Sequence, residues 1–382
     1  MIFNKNCSVL REVDSFFLFN SKITEVERYK YLGIIFTNAK NLFAENIDYL
    51  KNKAKGAIGD IRTNISKITG FNKPYNVMLK LFDSQILPIL EYGSEVWYPG
   101  KNLSHYETVH LNFLKYVLGV KSQTSSLAIY GETGRFPLVM RQQDRAIKLW
   151  FRLKFSRETK PINNVFLELE YLQSLGHETW LTKIKDSIGE IHYNSPNDVN
   201  RNCLFAQLKE TRYKNYMQSL ITGINDITLN PKLRTYCLFK TDYRREAYLN
   251  HIHHRSFLTA ISRFRTSSHS LHIETGRHTI PYTPIENRLC SFCDSNSVDD
   301  EMHMLLKCKF HETERENLMS CVRQPLQHPI FELNDQELFC KIMTSKDPEV
   351  LYALGKYLHT GFTRRKTLST TQAPSLLQQI PR

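Results

Sequence analysis

Two periods of apolar side chains divide the chain, an extended one near its start and a helical one over most of the rest. M-I-F-N, S-F-F-L-F-N and Y-K-Y-L-G-I-I-F all fall within residues 1 to 37. They are rich in aromatic and β-branched side chains and predict strands, with Asn20 and Ser21 turning the chain before the last of them. From Phe43 the spacing changes to three or four. Phe43, Ile47, Leu50, Ala54, Ile58, Ile61, Ile65 and Ile68 make one long amphipathic helix that Gly70 ends. A second helix is expected from Tyr75 through Ile89, with Val77, Met78, Leu81, Phe82 and Ile86 on its buried side and Pro88 bending its end. After a turn at Tyr98-Pro99-Gly100, Ser104 and Glu107 form a capping box for a helix that carries Val109, Phe113 and Tyr116 on one face as far as Gly119. Leu138 to about Phe155 is again amphipathic and brings Ile147, Trp150 and Phe151 together.

From about residue 160 to 280 the pattern weakens into short helical periods broken by Gly176, Gly189, Ser195-Pro196-Asn197 and Asn230-Pro231. The predicted fold class is α+β and predominantly α-helical. Its expected parts are strands over 1–40, a helical domain over 41–160, a helical basic connecting domain over 161–280, a compact Cys/His segment over 281–320 and a helical C-terminal segment over 321–361. The polar, Pro-interrupted end, 362–382, is expected to be disordered. Trp97, Trp150 and Trp180 read as core anchors, and Y-G-E-T-G-R-F-P, which lacks the spacing of a phosphate loop, reads as a turn.

Charge adds the class of partner. Lys and Arg outnumber Asp and Glu by 51 to 38 in 382 residues, a formal net charge of +13, so the summed field attracts polyanions before any specific contact forms. RNA or DNA, bound without sequence preference, is therefore the expected partner, and no small-molecule substrate is expected. Between Lys232 and Arg277 nine Lys or Arg stand against three Asp or Glu, with Tyr236, Phe239, Tyr243, Tyr248, Phe257 and Phe264 among them. Arginine forks grip phosphate and aromatic faces stack bases, although helical cores carry the same mixture. Lys51, Lys53, Lys55, Arg62 and Lys67 read as a solvated helix face. No stretch approaches the roughly 18 continuous apolar residues of a spanning helix, and no signal peptide opens the chain, so a cytoplasmic or nuclear protein with no membrane partner is expected. Cys7, Cys203, Cys237, Cys321 and Cys340 are scattered singly, which fits a reducing compartment.

The remaining cysteines are not scattered. Cys290, Cys293, His303 and Cys308 stand at C-x2-C-x9-H-x4-C, the ligand set and close spacing of a structural zinc ion. Three thiolates and one imidazole close a tetrahedron and leave no open position for water, so such a site folds a segment and does not catalyse. Asp294, Asp299, Asp300 and Glu301 make the loop between the ligand pairs acidic. His251, His253 and His254 lie in a basic stretch without a thiol or carboxylate pair and read as surface or nucleic-acid-facing histidines.

Y-K-Y-L-G-I-I-F-T (29–37), I-L-P-I-L-E-Y-G-S-E-V-W (86–97), V-H-L-N-F-L-K-Y-V-L-G-V (109–120), I-Y-G-E-T-G-R-F-P-L (129–138) and the Cys/His cluster, in that order, resemble the C-terminal part of a non-LTR retrotransposon reverse transcriptase. The resemblance covers about residues 1 to 320, most strongly 22–155 and 255–315. It implies that Tyr31, Leu32 and Gly33 form the hairpin at the end of the palm that holds the primer terminus. It also implies that the helices from about 41 to 155 are the thumb and that the Cys/His segment is the family's zinc knuckle. Arg263, Arg265, Arg277 and Arg288 resemble basic positions of that family and are the expected phosphate contacts.

The chain departs from the family where the chemistry lies. No Y/F-A-D-D segment, whose aspartates would hold two Mg2+ ions, occurs in it. Asp335, Glu337, Asp347 and Glu349 lack the spacing of a restriction-like endonuclease. The expectation is a truncated, inactive reverse transcriptase remnant, not an enzyme, that retains RNA or DNA binding and structural zinc. The alternatives are a zinc-stapled protein-interaction module, suggested by the acidic loop, and the product of a decayed element without a selected role.

Overall fold

The computed structural model of the chain describes residues 17–23, 26–37, 42–69, 74–98, 104–156, 160–188, 201–323 and 333–372. The expected strand at M-I-F-N, the breaks at Gly70, Pro99-Gly100, Gly189 and Ser195-Pro196-Asn197, and residues 373–382 lie outside them. Strands β1 (Phe17–Leu18) and β2 (Ser21–Lys22) form one antiparallel hairpin, and β3 (Arg28–Tyr31) and β4 (Ile34–Thr37) form a second. The longer elements after them among the described residues are helices: α1 (Ala44–Thr69), α2 (Tyr75–Leu81), α3 (Ser104–Leu118), α4 (Ser126–Thr133), α5 (Leu138–Lys154), α6 (Pro161–Ser174), α7 (Trp180–Ile188), α8 (Arg201–Asn225), α9 (Arg255–Arg265), α10 (Glu312–Arg323), α11 (Asp335–Met343) and α12 (Pro348–Gln372), with single helical turns between some of them. Among the described residues no helix is long and apolar enough to cross a membrane.

The chain gathers into two compact units, one of residues 1–62, 81–110 and 136–215, the other of 63–80, 111–135 and 216–382. Contacts distant along the chain, not composition, decide these divisions.

In the first unit the helical period of α1 is realised as burial, with Ile47, Leu50, Ala54, Ile58 and Ile61 all inside. α2 is prolonged by a π-helical turn, Phe82–Ile86, and a further α-turn, Leu87–Leu90. Val77, in the part of α2 that belongs to the second unit, was expected on the buried side and is 46% exposed. Trp97 is buried and stacks on Tyr106 at 5.3 Å between centroids. Glu107 also reaches outside its own helix. Its Oε2 accepts from the N–H of Leu138 at 2.7 Å and its Oε1 lies 2.9 Å from His110 Nδ1. Leu138 opens α5 and has no intrahelical acceptor, so the carboxylate satisfies a donor of a different helix. The side chain of Ser104 lies outside the described residues.

In the second unit α9 packs against α12. A Cβ at Gly355 would lie 2.7 Å from Phe257 Cβ, so this close approach requires glycine. Phe257, Leu258, Ile261 and Phe264 of α9 and Leu351, Leu354 and Leu358 of α12 are buried. Two expectations are corrected here. The weakly patterned region contains α8, a single helix of 25 residues, in which only Leu220 and Ile224 are buried. The segment expected to be disordered from 362 is helical to Gln372.

Candidate metal centre and nucleic-acid contacts

A short antiparallel ribbon presents the first two candidate ligands. Leu289 bridges Val298, the Cys290 N–H donates to Ser297 O at 2.9 Å and the Asp299 N–H donates to Arg288 O at 2.8 Å. The turn between them is made with Asn296 at φ +50°, a conformation asparagine tolerates better than most residues. The other two ligands come from the turn that follows. Asp300 Oδ1 accepts from the His303 N–H at 2.7 Å and starts a helical segment, and the Cys308 N–H donates to His303 O at 2.8 Å as that segment ends.

Cys290, Cys293, His303 and Cys308 thereby place their ligand atoms within 4.8 Å of one another, a cluster that can hold a metal ion. Cys290 Sγ and Cys308 Sγ are 3.9 Å apart, and Cys293 Sγ and His303 Nε2 are 3.3 Å apart. The hydrogen bond with Cys308, then burial, pushes the Cys290 thiol up to about 12, and the same hydrogen bond draws Cys308 down to about 7. The thiolate is the form a metal ion binds.

The sequence did not disclose what surrounds the cluster. Arg365 of α12 is 5% exposed and reaches across it: Nη1 donates to both Asp299 oxygens at 2.7 and 3.0 Å, Nε donates to His311 Nε2 at 2.9 Å, and Nη2 lies 3.8 and 3.9 Å from Cys290 Sγ and Cys308 Sγ. Its guanidinium also lies 4.7 Å from the centre of the Phe292 ring. Burial, then the charge of Arg365, pushes His311 down to about 3 and keeps the ring neutral. The Cys/His segment is therefore not an isolated knuckle over 281–320, since a residue of the C-terminal helix holds its acidic strand and its sulfurs. A periodic run through Leu351, Leu354, Leu358 and Gly361 to Arg365 was the available signal.

Two residues of the acidic loop, Asp299 and Glu301, are turned inward. Asp299 is paired with Arg365, and Glu301, 1% exposed, accepts from Arg234 at 3.0 Å, Thr235 at 3.0 Å and Ser267 at 3.2 Å and lies 2.9 Å from His269 Nε2. Burial alone would raise the Glu301 carboxyl, but His269 and Arg234 hold it down to about 2. Only Asp294 of the four is fully exposed.

The four arginines expected to touch phosphate are placed in two environments. Arg265 is buried, bonded to Glu132 through Nε at 2.8 Å and through Nη2 at 3.0 Å, and paired with Glu246 at 2.7 Å. Arg288 is buried and donates to Thr283 O and Ile273 O at 2.9 and 2.8 Å. Arg277 is half-buried, ion-paired with Glu274 and bonded to Pro231 O. Arg265 and Arg288 are thus enclosed and Arg277 partly so, whereas Arg263 stands at the surface. Tyr236, Phe239, Tyr248, Phe257 and Phe264 are likewise core residues, not stacking platforms. Y-G-E-T-G forms the end of α4, and its Glu132, fully buried, is the counterion of Arg265. Glu337 and Asp347, considered for a nuclease, cap helices: Glu337 completes a capping box with Asn334, and Asp347 Oδ1 accepts from Glu349 N at 2.8 Å. His251, His253 and His254 are exposed.

In the first unit Tyr31, Leu32 and Gly33 make the β3–β4 hairpin turn. Leu32 at φ +47° and Gly33 at φ +84° give the two-residue loop the positive φ values that match strand twist. Tyr92 clamps the turn by donating to Leu32 O at 2.5 Å, and a Cβ at Gly33 would meet its ring at 3.1 Å. Tyr31 and Leu32 remain 56% and 73% exposed. Beside them Lys30, Tyr49, Lys53 and Tyr92 line a cleft of about 360 Å³. Compared with known proteins, the chain matches no family model, no curated protein and no solved structure.

Proposed function

We propose that this chain corresponds to the thumb and zinc-knuckle part of a non-LTR retrotransposon reverse transcriptase, binds RNA or DNA without sequence preference in the cytoplasm or nucleus, and holds one structural zinc ion at Cys290, Cys293, His303 and Cys308. The observation that carries this reading is the closed Cys3His cage. Zinc bonds of about 2.3 Å to sulfur and about 2.0 Å to nitrogen give tetrahedral edges of about 3.8 Å between sulfurs and about 3.5 Å between sulfur and nitrogen. The distances of 3.9 and 3.3 Å fall close to those edges. Borderline-soft zinc suits three thiolates and an imidazole, and a site with four protein ligands folds the chain without offering a position to substrate. The excess of 13 positive charges supports the polyanion partner, and the clamped turn at Tyr31-Leu32-Gly33 supports a hairpin that contacts a primer. With no Y/F-A-D-D segment in this sequence, the chain by itself is expected not to extend a primer.

Two measurements test the reading. In titrations of RNA and DNA oligonucleotides, affinity should fall steeply as salt rises, whereas a flat response removes the electrostatic basis. In a primer-extension assay with Mg2+ or Mn2+, template-dependent elongation by the purified chain alone would overturn the noncatalytic assignment.

A further inference from the structure

The second unit contains a cleft of about 830 Å³ between α9 and α12, closed at one side by Phe292 of the Cys-x2-Cys loop. Its walls carry Lys121, Arg255, Arg263 and Lys366, the Asp299-paired Arg365, the hydroxyls of Ser256, Thr259, Ser268, Ser270, Thr363 and Ser369, and no carboxylate of their own. What distinguishes three of these cations is the chemistry of their acceptors. Arg255 donates to the carbonyls of Val117 and of Tyr116, the latter at 2.7 Å, Arg263 Nε donates to Gly119 O at 2.7 Å, and Lys121 Nζ donates to His269 O at 3.0 Å. Carbonyls fix a cation in place without cancelling its charge. The end of α3 that supplies the acceptors for the two arginines contributes about half a negative charge, against two full positive ones. Burial, with Arg263 nearby, lowers the pKa of Arg255, which agrees with a site short of anions. Charge is thus left uncompensated in a concave site, where low-dielectric walls focus the field.

We propose that this cleft seats the phosphodiester backbone of single-stranded nucleic acid, and that the metal cluster fixes one of its walls. The volume lies within the range of about 300–1,000 Å³ typical of ligand pockets, enough for a short stretch of one strand and too small for a duplex. Arg263, Arg255, Lys121 and Lys366 supply the charge, and the apolar faces of Phe292 and Phe362 line the same space. Phe292 lies between ligands Cys290 and Cys293, and Arg365 joins the sulfurs of Cys290 and Cys308 to α12, so an ion in the cage holds both sides of the cleft at one spacing. This assignment rests on the nucleic-acid reading above and adds where the strand lies and why the metal matters for it.

The test is fluorescence anisotropy of a labelled 12-nucleotide oligouridylate with the full zinc-loaded chain, compared with Arg263→Glu, Lys366→Glu and, as a control of equal charge change on an exposed α12 position outside the cleft, Lys356→Glu. Thermal melting checks that each variant folds. The expected result is at least tenfold weaker binding by Arg263→Glu and by Lys366→Glu, with a salt slope reduced by about 1 or more, little change in Lys356→Glu, and weakened wild-type binding after zinc is chelated. If folded Arg263→Glu and Lys366→Glu bind like Lys356→Glu while the wild type binds tightly, the nucleic-acid reading stands and the cleft is the wrong site. If the wild type does not bind at all, both fail.

Discussion

The cations inside the second unit and the cations along its cleft are the same residue types in opposite situations. Arg265 lies among Glu132 and Glu246, and Arg365 against Asp299, each paired with carboxylates out of water. Arg255, Arg263 and Lys121 lean on carbonyls and keep their charge. A paired buried arginine organises the fold, whereas one held by neutral acceptors leaves a field for an outside anion. The net charge of the chain states how many positive groups exist, not which of them a phosphate can meet.

The contrast can be broken most severely at the metal. Removing the ion by chelation, or substituting Cys290→Ser, should abolish near-stoichiometric zinc and lower the melting temperature. Structural zinc contributes on the order of 10 kcal/mol in small zinc domains. Hydrogen exchange should show lost protection in 281–320 and also in α12, because Arg365 belongs to both. Loss confined to 281–320 would remove the link through Arg365.

Next in size is the internal pair. Arg265→Met leaves Glu132 buried without its fork and should cost about 3–5 kcal/mol, read by denaturant unfolding, and adding Glu132→Gln should recover part of that. A loss within about 0.5 kcal/mol would mean that Arg265 is not enclosed as described.

Acid sharpens the comparison further. Glu301, held down to about 2, contributes stability that is present above the ordinary carboxylate range and lost as the pH falls toward 2. His311, pushed down to about 3, stays neutral in the folded chain while the unfolded chain takes up its proton from about pH 6.5 downward, so it too makes stability fall as pH falls between about 6.5 and 3. His311→Gln should flatten the melting-temperature profile above about pH 4.5, where Glu301 does not yet titrate. An unchanged slope there would argue against a buried neutral ring.

The smallest effect on stability belongs to the cleft. Arg263→Ala should change unfolding free energy by no more than about 0.5 kcal/mol, yet lower the salt slope of oligonucleotide binding by about 1. A larger stability loss would place Arg263 with the structural cations.

How much of this was legible in the sequence follows the range of the interactions. α1 was readable because its apolar positions recur every three or four residues, and the ligand set because two short spacings bring the atoms together locally. The Leu32-Gly33 turn is equally local. α8 was not readable because its sequence has no sustained apolar face and only Leu220 and Ile224 are buried. The enclosure of Arg265 and Arg288 was not readable because their partners lie far along the chain or are backbone carbonyls, and Arg365 was passed over because its carboxylate is 66 residues away. A basic residue in a sequence carries no mark of whether a distant glutamate will enclose it.

The separation of the two sets of cations is tested most directly by photo-crosslinking a 4-thiouridine oligonucleotide to the zinc-loaded chain and mapping the attached peptides. Crosslinks should concentrate in residues 255–270 and 359–369, on the cleft walls. Crosslinks that avoid both stretches and fall on other surfaces would contradict the assignment.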